Sequence, residues 1–293
     1  MRIANNMMYD RFLADLEAHS ARLYECYDEV STQRRLRAPH DDPAGAQAAA
    51  RVRSERAETA QYVKNAEDGQ TWLRLSEAAL GRLGEDLQRA RELVIANASE
   101  AGNQALLDAT AKEIDAIIQS AADLGNASLG GRYLFAGTAT LAPPIAFSGP
   151  NQAQYCGDTG QQVREIARGQ TLAVNATGDV AFMPALDALR DVAVDLRAGD
   201  TGRLSAATLD LLDAALDGVL AIRADLGARA NRLDTARTRL LEADIALAAQ
   251  QGQIEDTDLA KALLDLNRTE VAYRAALGVA ARVANLTLLD FLR

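Results

Sequence analysis

The sequence predicts a mainly α-helical protein with a β-rich insert: the N- and C-terminal regions form a long helical hairpin or coiled-coil bundle, and a small β domain lies in the middle. Three observations predict it. Apolar residues recur every seven positions over long stretches at both ends, the repeat of helices that pack on helices. Composition agrees, since 48% of residues are hydrophobic but only 4% aromatic, Ala and Leu dominate, and there are six prolines in 293 residues. Small side chains of high helix propensity suit close helix contacts. From Thr138 to Phe182 the repeat gives way to short apolar runs separated by Gly, Asp and Asn turns.

The elements follow in order. An N-terminal assembly helix within 1–40 carries Tyr9, Leu13, Leu16, Ser20, Leu23, Tyr27 and Val30 at steps of four and three. It stops before Pro39, because proline pushes its predecessor out of helical geometry. Asp42 then serves as N-cap with Pro43 in the first helical position. The helical rod's first part, 41–137, opens there. Val52, Thr59, Ala66, Leu73, Leu80, Leu87 and Val94 recur by seven, with Leu83 and Ala90 beside them. After a turn near "SEAGN", Leu107, Ala111, Ile114, Ile118 and Ala121 mark a third helix, antiparallel to the second.

At "LGGRYLFAGT" two glycines break the helix and Tyr133, Leu134 and Phe135 lean toward β structure. The β-rich insert over 138–182 follows, with "DTG" as the expected hairpin loop between Gln154 and Val163. Helical pattern resumes in the rod's second part, 183–252, breaks at "AGDTG", and is interrupted at Gly252. Asp256 or Thr257 caps a C-terminal assembly helix within 253–293. Its Leu259, Leu263, Leu266, Tyr273, Leu277, Ala280 and Ala284 keep the heptad spacing, with Glu270 the one charged exception.

Net charge is −10, which argues against nucleic acid or an anionic membrane as partner, since either needs a basic face. The ends are different: residues 1–40 carry six arginines against six carboxylates, and 265–293 four against three, so both ends suit contact surfaces. Cys26 and Cys156 read as free thiols, and no zinc spacing exists. "MRIANNMMYDRFLADL" lacks the apolar core of a cleaved signal peptide, and no run approaches a membrane span.

Catalytic chemistry finds no footing. His19 reads as a surface residue, "HDDP" at 40–43 as a cap and its neighbours, and "EDTD" at 255–258 as a helix start lacking the glycine and distal glutamate of a calcium loop. No phosphate-cradling loop occurs, and Trp72 is a core residue. The reading is therefore no enzyme, no cofactor and no metal.

Taken in order, "MRIANNMMYD", "DDPAGAQAAARV", "NAEDGQTWLRLSEAALGRLGEDLQRARELVIANAS", "GGRYLFAGT", "GARANRLDTA" and "ANLTLLDFLR" resemble the flagellin family, and within it the hook-associated branch that joins hook to filament. "LLDFLR" and "GGRYLFAGT" favour that branch over the filament subunits. Departures are local: Ala38, Pro39 and His40 stand where the family more often has a serine beside the aspartates, and Thr32 and Gln33 replace a small-residue turn before "RRLR".

The resemblance implies a structural subunit of the bacterial flagellum, exported unfolded and without a cleaved signal, and extracellular once assembled. Its terminal helices would fold into a coiled-coil tube on assembly, with the Val52 to Val94 helix as the next layer and the insert facing outward. Implied partners are other copies in a ring, the first hook-associated protein, flagellin and an export chaperone. The implied interface comprises Leu13, Leu16, Leu23, Tyr27, Val30, Leu259, Leu263, Leu266, Tyr273, Leu277, Ala280 and Ala284. Alternatives are a filament subunit, or a cytoplasmic helical scaffold or signalling protein, which would need an uninterrupted heptad hairpin.

Overall fold

The structure is a computed structural model describing residues 2–40, 42–97, 103–204 and 206–291, with side chains described within those ranges from 7 to 282, except 8 and 9. The elements are α1 (Arg2–Thr32), α2 (Pro43–Asn97), α3 (Gln104–Gly125), β1 (Ser128–Leu129), β2 (Arg132–Tyr133), β3 (Ile145–Gly149), β4 (Gln152–Tyr155), β5 (Val163–Ala167) and β6 (Gln170–Ala173), followed by α4 (Gly178–Ala181), α5 (Met183–Ala198), α6 (Thr201–Leu204), α7 (Ala207–Glu255) and α8 (Leu259–Phe291). The fold is mainly helical with long terminal helices and a small central strand region, as the heptads predict. Two compact units divide the chain, one of residues 1–57 with 244–293 and one of 58–243.

In the 58–243 unit the α2 stripe is buried as its spacing requires, Leu73, Leu80, Leu83, Leu87, Ala90 and Val94 all losing their solvent. Leu107, Ala111, Ile114 and Ile118 of α3 join the same core, as do Leu186, Leu189, Val192 and Leu196 of α5 and Leu212, Val219, Leu226 and Leu233 of α7. Each such leucine gains roughly 1.5–3 kcal/mol from burial, so this stripe dominates the unit's stability.

Ion pairs set its register. Glu67 meets Arg237 at 3.0 Å, Glu77 meets Arg223 at 2.6 Å and Arg91 meets Asp213 at 2.6 Å, so numbering rises along α2 as it falls along α7. Arg89 to Glu113 at 2.8 Å and Ser120 to Asp86 at 2.9 Å do the same for α2 and α3. Half-exposed pairs contribute about 0–1 kcal/mol each, so they choose the antiparallel alignment more than they hold it.

The strands form three separate antiparallel hairpins, with Ser128 opposite Tyr133, Ile145 opposite Tyr155, and Val163 opposite Ala173. Ile145, Ile166, Leu172, Val174 and Phe182 bury into the core that the helices share. The expected hairpin across "DTG" is absent, because β4 pairs back onto β3 and β5 forward onto β6. Asp158 explains the difference. Its carboxylate accepts from the Thr138 amide at 2.7 Å, the Thr138 hydroxyl at 2.5 Å and the Gly160 amide at 2.8 Å, which ties the loop to residues 137–140 instead. Those hydrogen bonds hold its pKa below the usual carboxylate range. Gly137 has φ of +69°, and a Cβ there would lie 2.1 Å from the Asp158 carbonyl, so only glycine fits. The Tyr155 hydroxyl is shared between the Phe135 and Asp158 carbonyls, at 2.9 and 2.8 Å. Burial and then the Asp179 charge push it up to about 12, so it stays protonated as a donor.

Gly252 does not interrupt its helix: α7 runs on to Glu255. A helical glycine keeps its amide and costs only about 1 kcal/mol against alanine, too little to stop a helix held by packing along its length.

Leu80→Ala should lower stability by about 2–5 kcal/mol, while exposed Arg82→Ala should stay within about 0.5 kcal/mol. Thermal unfolding followed by far-ultraviolet circular dichroism measures both. Equal losses would show that the α2 stripe is not the core.

Candidate assembly interface

The unit of 1–57 and 244–293 is organised around the two connectors that leave α1 and α7. Gln33 leaves helical geometry at φ of +58°, which ends α1 at Thr32, well short of Pro39. The next residues pair with the α7–α8 turn. The Arg35 amide donates to the Glu255 carbonyl at 2.8 Å and the Thr257 amide to the Gln33 carbonyl at 3.1 Å, an antiparallel bridge of two rungs around Arg34 and Asp256. Asp42 caps α2 through Gly45 N at 2.9 Å.

Glu255 holds this crossing together. Its side chain is 3% exposed, and it accepts from Arg53 Nε at 2.7 Å and Gln251 Nε2 at 3.2 Å, with Arg34 at 3.8 Å. Burial alone would raise its pKa. The hydrogen bonds from Arg53 and Gln251 and the charges of Arg53 and Arg34 outweigh that and hold it below its ordinary value. Arg35 adds a bond to the Ile254 carbonyl at 3.0 Å, and the Thr257 hydroxyl donates to Glu29. The sequence offered "QRRLR" and "IEDTD" as separate stretches, and nothing in either spacing says that they meet.

From this crossing α1 and α8 pack antiparallel, since Glu29 meets Thr257 while Cys26 lies 3.8 Å from Thr269. Leu16, Leu23 and Val30 on α1, and Leu266, Tyr273 and Ala280 on α8, are half-buried. Ala262 is buried, and Thr269 and Ala276 share its seven-residue step. The heptad spacing does not mark those three, because alanine and threonine carry little of the apolar signal of a seam.

The remaining candidates are exposed: Leu13 at 40%, Tyr27 at 49%, Leu259 at 40%, Leu263 at 46% and Leu277 at 41%. Leu13 and Tyr27 lie two heptads apart along one flank of α1, as do Leu263 and Leu277 along one flank of α8. The side chains of Tyr9 and Ala284 lie outside the described residues. On the pair's opposite flank a polar groove of about 510 Å³ runs past His19, Arg22, Glu25, Asp265 and Arg268. The helix pair therefore has one flank lined by a polar groove and one where exposed leucines and a tyrosine stand at every second heptad, with Ser20 and the Glu270–Arg274 ion pair between them.

Both cysteines are free. Among the described residues no group of three or more His, Cys, Asp and Glu could hold a metal ion, and no helix is long and apolar enough to cross a membrane.

Comparison with known proteins bears on what such a surface is for. Residues 3–140 match the family model of the bacterial flagellin N-terminal helical region, and residues 209–292 that of the bacterial flagellin C-terminal helical region. The chain is 25% identical to the flagellin of Bacillus subtilis, covering 96% of each. It is 24% identical to flagellar hook-associated protein 3 of Escherichia coli, over 88% of this chain and 89% of that one. The solved structure of flagellar hook associated protein-3 from Legionella pneumophila shares the fold, with a TM-score of 0.62 at 16% identity over 69% of this chain and 98% of that one.

The Glu255 crossing makes a pH prediction. A carboxyl whose folded pKa lies below its unfolded one stabilises the fold fully above the unfolded value, and that contribution is lost as pH falls through the folded value. Amide exchange at Arg35 and Thr257 should therefore accelerate as pH drops below the ordinary value of 4.5, once corrected for intrinsic rates. Glu255→Gln should show fast exchange already at pH 7 and no such pH step. Unchanged protection at both amides in the variant would mean that the carboxylate does not hold the connectors.

Proposed function

Because the chain belongs to the flagellin family, we propose that it is the structural subunit joining the flagellar hook, through the first hook-associated protein, to the flagellin filament. The observation that carries this reading is the flank of the α1–α8 pair where Leu13, Tyr27, Leu263 and Leu277 stay exposed beside a seam that already packs. Isolated exposed leucines are ordinary, but here they stand two heptads apart on the same flank of both helices, and the one charge between them, Glu270, is already paired with Arg274, so the flank suits cover by further helices. Neighbouring subunits supply those helices. The work done is mechanical: the pair offers a rod-like face, the Glu255 crossing fixes how its two helices leave the connectors, and no reacting group is needed. Before assembly the same surface is what an export chaperone would shield.

A filament-subunit reading is favoured by one observation, the match to Bacillus subtilis flagellin along nearly the whole chain. The two differ in outcome, since a filament subunit polymerises without limit and a junction subunit stops at a ring.

Two measurements test the proposal. In a strain lacking this chain, electron microscopy should show hooks without filaments and flagellin released to the medium; normal filaments would contradict the junction role. Leu277→Asp should leave the melting temperature of the free subunit within about 1–2 °C, because the position is a surface one. The same variant should fail to complete the hooks, since a covered, unpaired carboxylate costs several kcal/mol.

A further inference from the structure

The face of α7 turned away from the core of the 58–243 unit carries a charge pattern that no described side chain pairs with, although Asp210, in the first turn, also complements the helix N-terminus. Asp210, Ala214, Asp217, Ala221, Ala224, Ala228, Arg232, Thr235 and Arg239 step along it by four and three, and all nine are exposed. Asp210, Asp217, Arg232 and Arg239 make no hydrogen bond or ion pair with a described side chain. Their neighbours behave differently, for Arg223 pairs with Glu77, Arg229 with Asp225 and Arg237 with Glu67. The acidic end and the basic end are therefore left open on one straight stripe. The 29 steps from Asp210 to Arg239 make about eight turns, so both ends point the same way. At the basic end the surface is recessed: Arg232 and Arg239 line a groove of about 330 Å³ with Ile166, Gln170, Asn231 and Thr235.

The pattern is its own complement. Positions 210 and 239 share a midpoint with 217 and 232, and that midpoint falls between Ala224 and Asp225. Turning a second α7 by half a revolution about this point sets Asp210 against the second copy's Arg239 and Asp217 against its Arg232. The same turn sets Ala214 against Thr235 and Ala221 against Ala228. Four ion pairs close at the ends, and small side chains in between let the backbones approach. Asp225, beside the midpoint, is already neutralised by Arg229 at 2.6 Å, so it does not oppose its own image.

We propose that α7 docks a second copy of this chain, antiparallel, through this self-complementary stripe. Charge complementarity selects the occupant. A parallel copy shifted by 22 residues would also bring Asp210 to Arg232 and Asp217 to Arg239, but it satisfies only half of each copy's charges and leaves the alanine stretch uncovered. The contact is modest. A strip of about 44 Å by 10 Å buries roughly 900 Å² over both copies, short of the ~1,200 Å² of a stable interface, so the dimer is weak and salt-sensitive. A two-fold antiparallel contact closes at two copies and does not propagate, so the pair belongs to the free subunit. It stands independently of the junction reading.

Sedimentation equilibrium of the full chain tests this. A monomer–dimer equilibrium is expected, weakened at least about tenfold between 50 and 500 mM salt. Arg232→Glu with Arg239→Glu should abolish the dimer, and adding Asp210→Arg with Asp217→Arg should restore it, which excludes simple misfolding. In a Cys26→Ser, Cys156→Ser background, Ala224→Cys lies beside the two-fold axis, close to its own image, and should form an intermolecular disulfide under mild oxidation. Species larger than dimers, or crosslinking of Asp217→Cys with Arg239→Cys but not of Ala224→Cys alone, would show the shifted parallel contact and overturn the proposal. A monomer at all concentrations and low salt would overturn it as well.

Discussion

Glu255 is a carboxylate shut away from water at the point where two connectors cross, and the terminal helices depend on how that charge is satisfied. Breaking a buried ion pair by removing one partner typically costs about 3–5 kcal/mol, because the remaining charge has no water to return to. Arg53 and Gln251 supply the direct bonds and Arg34 the additional charge. Since Arg34 belongs to the connector after α1, satisfying Glu255 draws that connector across the α7–α8 turn, and the two backbone rungs follow. The directions in which α1 and α8 depart are then fixed by a polar contact rather than by the seam between them.

That division of labour fits the character of the seam. Leu16, Leu23 and Val30 meet Leu266, Tyr273 and Ala280 while remaining only half-buried, so the two-helix contact excludes water incompletely. A pair of helices is marginal alone, and it gains most when neighbours complete its burial. The flank through Leu13, Tyr27, Leu263 and Leu277, whose one carboxylate, Glu270, is paired with Arg274, is where that completion can occur, while the flank through His19, Arg22 and Asp265 is a polar groove. The 58–243 unit differs, for its α2 stripe is fully buried within the chain itself. One unit is finished by its own folding, and the other is left with a face to cover.

Much of this was legible in the sequence, for a reason that also explains the rest. Every α2 position read from the seven-residue step, from Val52 to Val94, is buried, because a long helix repeating leucines has one way to hide them. In α8 the same spacing read two faces as one: Leu266 and Tyr273 face α1, but Leu263 and Leu277 do not. Leucine on an inner seam and leucine on a face awaiting a neighbour give the same pattern, and Ala262 and Thr269, which do face α1, give almost none. Contacts that join distant segments were not legible at all. Asp158 replaces the expected hairpin by bonding to Thr138, and Glu255 gathers arginines from two other segments, and neither partner can be inferred from local spacing. Gly252 looks like a break in sequence, but a glycine that ends a lone helix is tolerated in one already held along its length.

The most direct measurement is chemical access to the apolar flank before and after assembly. A cysteine placed at Leu263, in a background with Cys26 and Cys156 replaced by serine, should react readily with a maleimide in the free subunit. In purified flagella it should be protected by at least about tenfold, while a cysteine at Leu141, 84% exposed in the strand region, should react in both. Equal labelling of position 263 in the free and assembled protein would contradict the account, since the flank would then be covered by nothing.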